Sequence, residues 1–359
     1  MKITSPHVWP AEWERQAATW IAWPHNLETW PGRFEQIPTA FAKFILTLSQ
    51  FQPVHVLSGP TGARPAAEAY LSEEALALAM PRSQLTPVHP IHIHQVPTND
   101  TWIRDYGPTF VRRHDDGSLV GIDWKYNAWG GKYPPFDDDA RAAETICRLT
   151  GCTRSMSPLY CEGGGLETDG QRTLLTTSSC LLSPTRNPGW SRSMVEEELM
   201  RQLGIDKTIW VDGGGLLGDD TDGHIDQLAR FVAPGIVVAA TSSDGSDPNR
   251  SGLAANVQLL RQNTAVDGTP LTVYPLPTPP PRMIDGKRVP ESYCNFLFAN
   301  ESVIVPTFRH EATDQAALKL LGQLLPRHKV IPLDAYEVIW GLGAWHCASQ
   351  HQPVVSQAR

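Results

Sequence analysis

The sequence predicts an α/β protein built from a repeated ββαβ unit, and three observations carry that expectation. Helical periodicity alternates with short β-type runs along the chain. From the third helix onward the helix starts recur at roughly 55 to 60 residues, a spacing that signals a structural repeat. One echo also survives in sequence, because Glu162-Gly163-Gly164-Gly165-Leu166 is matched by Asp212-Gly213-Gly214-Gly215-Leu216, and a Gly341-Leu342-Gly343 turn follows near the end.

In order, helices are expected at Ile37–Gln50, Ala66–Met80, Asp138–Leu149, Ser193–Leu203, Leu253–Gln262 and Thr313–Leu324. Each shows apolar residues at three- and four-residue spacing and gives way to a run suited to a pleated strand. Those runs are Val54–Leu57, His92–Val96, Thr173–Thr177, Thr208–Val211, Leu271–Tyr274 and Val330–Pro332. The three Gly-rich turns each follow a helix and a strand, and glycine there permits close backbone approach where several units meet around a ligand. The proline-rich stretch Pro275–Pro281 is expected to be an exposed connection, since the repeat continues past it.

The chain has 359 residues, 41% of them apolar and 12 of them Trp, enough to bury a sizeable core in one large domain or two modest ones. A formal charge of −8 and the absence of a basic run argue against a nucleic-acid partner. No secretory leader or membrane-length apolar stretch is visible, and the six cysteines lack CxxC pairs, which suits a cytoplasmic, reducing setting.

Three polar clusters stand out as candidates for chemistry. Asp219 to Asp226 reads Asp-Asp-Thr-Asp-Gly-His-Ile-Asp, and an extended segment would place His224 and Asp226 on one face, pairing an acid–base group with a carboxylate. The bland alternative, a calcium loop or solvated turn, lacks the terminal Glu of EF-hand spacing. In Asn99 to Pro108, Trp102 beside Asp105 offers an aromatic wall and an anion to a flat cation, against the plainer reading of an Arg104–Asp105 structural pair. Glu162 is a third candidate carboxylate.

The last cluster runs Trp340 to Cys347. A lone cysteine in an apolar segment is ordinarily core filler. Its place after a Gly-rich turn, with His224 elsewhere between carboxylates, raises the reading of Cys347 as a nucleophile. Metal chemistry is disfavoured: His346 and Cys347 are adjacent, and His92-x-His94 has no third partner nearby, so no metal site is expected.

Taken together, Trp102–Phe110, Asn127–Asp139, Glu162–Gly170, Leu174–Pro188, Asp219–Asp226 and Gly341–Cys347 resemble, in order, the motifs of the agmatine deiminase family, which belongs with bacterial-type peptidylarginine deiminases. The likeness runs from about Trp13 to Pro353. It implies one deiminase domain over residues 1–359, folded as a five-bladed α/β propeller (the pentein fold) of ββαβ repeats around a pseudo-fivefold axis. One of the six helices is then extra, and Ala66–Met80 breaks the regular spacing. By the same likeness Cys347 is the nucleophile, His224 the general acid and base, and Glu162 the carboxylate that charges it. Asp105 and Asp226 would grip the guanidinium nitrogens, with Trp102 along the substrate chain and Asp220 near its tail. The implied reaction turns agmatine and water into N-carbamoylputrescine and ammonia, within putrescine and polyamine metabolism. It proceeds through an S-alkylthiouronium without any cofactor. The implied partner is a small cationic guanidino compound, with oligomeric state left open, a homo-oligomer included.

Some positions depart from the family pattern. Asp220 stands where a Glu is common, Gly343-Ala344-Trp345-His346-Cys347 replaces Gly-Asn-Ile-His-Cys, and a longer insertion usual before Ser292 is missing. These changes lie near the substrate tail and leave free or peptidyl arginine, or another guanidino compound, as an alternative. A substrate carboxylate would then want a cation, for which Arg104, Lys132 and Arg186 are the candidates. A non-catalytic guanidinium-binding protein is the alternative from another class. A papain-like protease is disfavoured because its cysteine precedes its histidine in the chain.

Overall fold

In the computed structural model, which describes residues 5–72 and 87–355, five of the six sheets are variations on one unit. In each, a first strand pairs antiparallel with a second, and a helix then carries the chain to a third strand parallel to the second. The first unit is Thr109–Arg113, Leu119–Lys125, helix Asp139–Thr150 and Thr153–Tyr160. The second is Glu167–Thr168, Thr173–Thr176, helix Arg192–Leu203 and Lys207–Trp210. The third is Ala229–Ala233, Ile236–Thr241, helix Arg250–Arg261 and Thr272–Pro277. The fourth is Leu297–Ala299, Ser302–Thr307, helix Glu311–Leu324 and Lys329–Asp334.

The fifth unit is assembled from both ends of the chain. Ser349–Pro353 pairs antiparallel with Gln16–Ala22, which runs through helix Ile37–Ser49 to the parallel strand Val54–Leu57. A further strand, Ile91–His94, extends this sheet. The chain is therefore mixed α/β, and each unit buries its helix stripe on its own sheet. Phe41, Phe44 and Ile45 in the fifth unit and Val195, Leu199 and Leu203 in the second are fully or almost fully buried. Helix ends follow ordinary capping chemistry: Ser191 accepts from the Met194 amide at the start of Arg192–Leu203, and Gly204 closes it with φ 75°.

Two expectations need correction and one lies partly out of view. The expected helix Ala66–Met80 is seen as Arg64–Tyr70, inserted between the last two strands of the fifth sheet and so outside the repeat, and from residue 73 it lies outside the described residues. Pro275 and Pro277 are not in a connection but in the strand Thr272–Pro277. That strand is the edge of its sheet, where a missing N–H costs no ladder bond on the open side. The Gly213–Gly215 turn does follow a unit's last strand, as expected, but it packs on helix Arg250–Arg261, where a Cβ on Gly213 would lie 2.6 Å from the Asn256 nitrogen.

Short turns immediately before the first strands carry the polar residues. They are Ile103–Tyr106, Gly163–Gly165, Ile225–Gln227, Tyr293–Asn295 and the bend at Ala344–Ala348. His224 caps the third of these, so its segment is a tight 3-10 turn and not the extended strand expected. Strand formation begins only at Ala229, because the loop bonds of Asp219 have already bent the chain. Its carboxylate accepts the Thr221 and Gly223 amides at 2.9 and 2.8 Å. That carboxylate is engaged in holding the turn.

Candidate active site

The five turns meet beneath a cavity of about 910 Å³ lined by Trp102, Asp105, Trp129, Asp220 and Cys347 among others. Backbone contacts lock neighbouring turns together: the Arg104 amide donates to the Cys347 carbonyl at 3.2 Å, and the His346 amide to the Asn295 carbonyl at 3.3 Å. Gly164 explains the Gly-rich motif. A Cβ there would sit 2.7 Å from His224 Nδ1 and 2.8 Å from Asp105 Oδ1, so only glycine lets these groups converge, and its amide donates to Asp105 Oδ1 at 3.0 Å.

Cys347 Sγ is buried, 3.0 Å from the Asn295 side-chain nitrogen and 3.6 Å from Asp226 Oδ2. Burial, together with Asp226 and Asp105, pushes its thiol well above the ordinary range, so the empty site holds it protonated. His224 is fully buried, with Nδ1 3.6 Å from Asp105 Oδ1 and Nε2 3.7 Å from Glu162 Oε2. Burial alone would keep the ring neutral, but Asp105, Cys180 and Glu162 outweigh it and raise the pKa well above the usual histidine value, which favours the protonated ring.

The carboxylates differ according to their partners. Burial pushes Asp105 up to about 6, reinforced by Asp226 and Glu162 and only partly opposed by His224. Burial also acts on Glu162, but His224 and the Arg186 guanidinium overcome it and bring it to about 2. Asp226 stays low against its burial because His346 bonds it, Nδ1 to Oδ2 at 2.8 Å. Asp226 Oδ1 and both His224 ring nitrogens are buried without hydrogen-bond partners. Unsatisfied groups of this kind are expensive in a finished protein interior and mark places where a ligand completes the bonding.

The sequence candidates accordingly fall into two groups. Asp105 and Cys347 line the cavity, as do Trp102 and Asp220 in its wall, while Asp226 and His224 lie buried directly behind Asp105 and Cys347, with Glu162 next to His224. Trp102 packs on Trp30 at 5.7 Å between ring centres and is pressed against Gly341 and Gly343, where a Cβ would lie 2.8 and 2.5 Å from its ring. Asp220 is tied to the Tyr133 hydroxyl. Arg104 does not pair with Asp105, since its side chain turns away to Gln350, His351 and Glu12. Arg186 Nε donates to both oxygens of Glu162, at 2.8 and 2.9 Å, and Lys132 pairs with Asp222 at 2.8 Å, so these three cations already have carboxylate partners.

Sequence reasoning missed Asn295, Trp129 and Glu12. Trp129 donates from its ring to Asp105 Oδ2 at 2.9 Å and adopts φ 57°, a left-handed conformation costly for a bulky residue and typical of functional sites. It lies inside the Asn127–Asp139 motif, which was the available signal. Asn295 and Glu12 lie in none of the six motifs, and only the repeat position of Asn295, just ahead of a first strand, points to it.

Among the described residues, Glu162, Cys180 and His224 bring possible ligand atoms within 4.8 Å of one another. They suit a metal poorly. Arg186 takes both Glu162 oxygens and sets a positive charge beside the site, while His224 holds the proton a metal would have to displace.

Residues 8–353 match the family model for Porphyromonas-type peptidyl-arginine deiminases. The chain is 35% identical over 367 residues to the agmatine deiminase of Stutzerimonas stutzeri, covering 96% of this chain and 95% of that protein. The agmatine deiminase of Ectopseudomonas mendocina is 33% identical over the same shares. The solved agmatine deiminase of Enterococcus faecalis superposes with a TM-score of 0.85 at 30% identity, covering 98% of each chain. With this extent of agreement, the chain belongs to the Porphyromonas-type peptidyl-arginine deiminase family and is one of its deiminase-type enzymes.

Proposed function

We propose that the protein hydrolyses agmatine to N-carbamoylputrescine and ammonia through a covalent S-alkylthiouronium on Cys347. The observation that carries this reading is the buried set of unpartnered groups, Asp226 Oδ1 and the two His224 nitrogens, packed behind Asp105 and the Cys347 thiol, which face the cavity.

A guanidinium carbon is a poor electrophile, because its charge is delocalised over three nitrogens. Asp105 and Asp226 would hold the group planar and cationic beside the sulfur. The arriving cation offsets the two carboxylates that keep the thiol protonated, so the thiol gives its proton to water in the cavity and the thiolate forms once substrate is in place. Attack of sulfur on carbon gives a neutral tetrahedral adduct. The His224 imidazolium gives its proton to one nitrogen, the C–N bond breaks, and ammonia leaves the cationic thiouronium behind. Neutral His224 then takes a proton from water as its oxygen bonds to the same carbon. Collapse breaks the C–S bond, returns the sulfur to Cys347 as thiolate and releases the ureido product with one proton.

The wall favours a second positive charge on the substrate tail. Glu28, Asp100, Asp138, Asp139 and Asp220 line the cavity against Lys132 and Lys287, Lys132 is already paired, and although burial raises Asp100, Asp139 and Asp220, an arriving cation would favour their anions. The same reading arranges the five units as propeller blades around a pseudo-fivefold axis. It places the enzyme in polyamine metabolism in the cytoplasm, a setting that suits six free cysteines.

Ammonia release measured with agmatine, free arginine and a C-terminal arginyl peptide tests the substrate. Agmatine should give the highest kcat/KM by about 100-fold or more, since a buried cation site rejects a carboxylate. Comparable values for arginine would transfer the proposal to that substrate. Ammonia release by Cys347→Ala at the wild-type rate would remove the mechanism.

A further inference from the structure

Directly beneath the cavity floor, the histidine beside the nucleophile joins two buried carboxylates. His346 Nδ1 lies 2.8 Å from Asp226 Oδ2, and its Nε2 lies 2.9 Å from Glu12 Oε2. A neutral imidazole carries one N–H, and its tautomer decides which carboxylate receives it. Burial, with Arg104 and Arg230 nearby, lowers the His346 pKa.

Glu12 comes from the segment ahead of the strand Gln16–Ala22, and it is anchored from several sides. Its Oε1 accepts the Phe298 amide at 2.8 Å, and Arg230 and Arg104 approach Oε2 at 3.2 and 3.5 Å. Arg230 in turn pairs with Glu167 at 2.7 Å. The two oxygens of Asp226 are consequently unlike. Oδ2 accepts from His346 and, at 3.2 Å, from Asn295, whereas Oδ1 is buried with no partner.

We infer that His346, braced by Glu12, is a positioning residue for substrate recognition: its Nδ1–H fixes the rotation of the Asp226 carboxylate and so leaves Oδ1 open to a guanidinium nitrogen. This rests on the reading of Asp226 as a guanidinium ligand. It assigns a task to a residue of the N-terminal segment that touches neither the cavity nor the sulfur.

The test uses the shapes of two amides. An asparagine at this position puts its side-chain nitrogen near that of Nδ1, and a glutamine puts it near Nε2. His346→Asn should keep the bond to Asp226, with a KM for agmatine within about three-fold of wild type. His346→Gln should lose that bond and raise KM about ten-fold or more with a smaller change in kcat. Equal KM values for the two variants, or a lower one for His346→Gln, would overturn the inference.

Glu12→Gln keeps an acceptor but removes the charge. In a Cys347→Ala background it should weaken agmatine binding by about three- to ten-fold in calorimetry. Unchanged binding there would also overturn it. Asp226→Asn in that background separates the two levels: if it leaves the agmatine Kd unchanged, the reading of Asp226 fails, and if it weakens binding while the His346 variants behave alike, only the present inference fails.

Discussion

The Asn295 side-chain nitrogen sits 3.0 Å from Cys347 Sγ, while its oxygen accepts the amide hydrogens of His346 and Cys347 at 3.1 and 3.3 Å. One amide thus fixes the backbone that carries the nucleophile and gives the sulfur a hydrogen-bond donor. A donor aimed at developing charge is worth most when that charge forms. Asn295→Ala should lower kcat by about 10- to 100-fold with a much smaller change in KM. Steady-state kinetics with agmatine check this, and a change confined to KM would show that Asn295 serves binding instead.

The protonation of the free thiol gives a second expectation. With Cys347 pushed well above the usual thiol range by burial and by Asp226 and Asp105, inactivation by iodoacetamide should still be rising with pH at about pH 9. A plateau near neutral pH would mean that a thiolate is already present before substrate arrives.

Asp105 sets the acid limb. Its anion is the form that holds a guanidinium, and the free carboxyl stands at about 6, so kcat/KM should fall as pH drops through that value. Bound cation favours the anion, so kcat should hold to lower pH. The sign for stability is opposite: a carboxyl whose pKa rises on folding binds its proton more tightly in the folded chain. Protonating Asp105 between about pH 6 and pH 4 therefore favours the fold, and the activity lost in that window is not unfolding at this residue. Parallel pH series of kcat/KM and thermal melting check both signs.

Gly164→Ala should cost far more activity than stability. The added methyl would meet His224 Nδ1 and Asp105 Oδ1 inside 3 Å, in a floor held by five turns. Overpacking of this kind typically costs about 1–3 kcal/mol, whereas displacing two reacting groups should lower kcat/KM by about 100-fold or more. Melting temperature and turnover of the purified variant separate the two effects.

Arg186 compensates the charge of Glu162 from a fully buried position. Arg186→Met leaves that carboxylate without its partner and should destabilise the fold by about 3–5 kcal/mol, as removing one member of a buried pair does. Denaturant titration measures it, and a loss below about 1 kcal/mol would mean that water or another group replaces the guanidinium.

Much of this arrangement was legible before the structure. The ββαβ rhythm showed because each helix must bury one stripe and each strand one or two faces, which leaves 3.6- and 2-residue periods in the sequence. Cys347, His224, Glu162, Asp105 and Asp226 stood out as candidates in polar or Gly-rich clusters, and the roles expected of them came from the likeness of six ordered motifs to a known family. Glu12 left no such trace. Its function arises from contacts with residues more than 90 positions away, and a single Glu beside Trp13 looks like any surface acid. The extended segment expected at His224 failed for a related reason, since the Asp219 carboxylate, a local hydrogen-bond acceptor, bent the chain before strand pairing began. Proline within Thr272–Pro277 misled because its tolerance depends on lying at a sheet edge, which is a property of the assembled sheet.

The fifth unit, closed by the strand Ser349–Pro353 against Gln16–Ala22, joins two distant stretches of the chain beside the cavity. Cys347 lies two residues ahead of the strand that seals that sheet, and Glu12 lies four residues ahead of its partner. The sheet edge beside Cys347 and Glu12 therefore exists only when two segments far apart in the sequence meet, so any event that parts Ser349–Pro353 from Gln16–Ala22 displaces the thiol and Glu12 together.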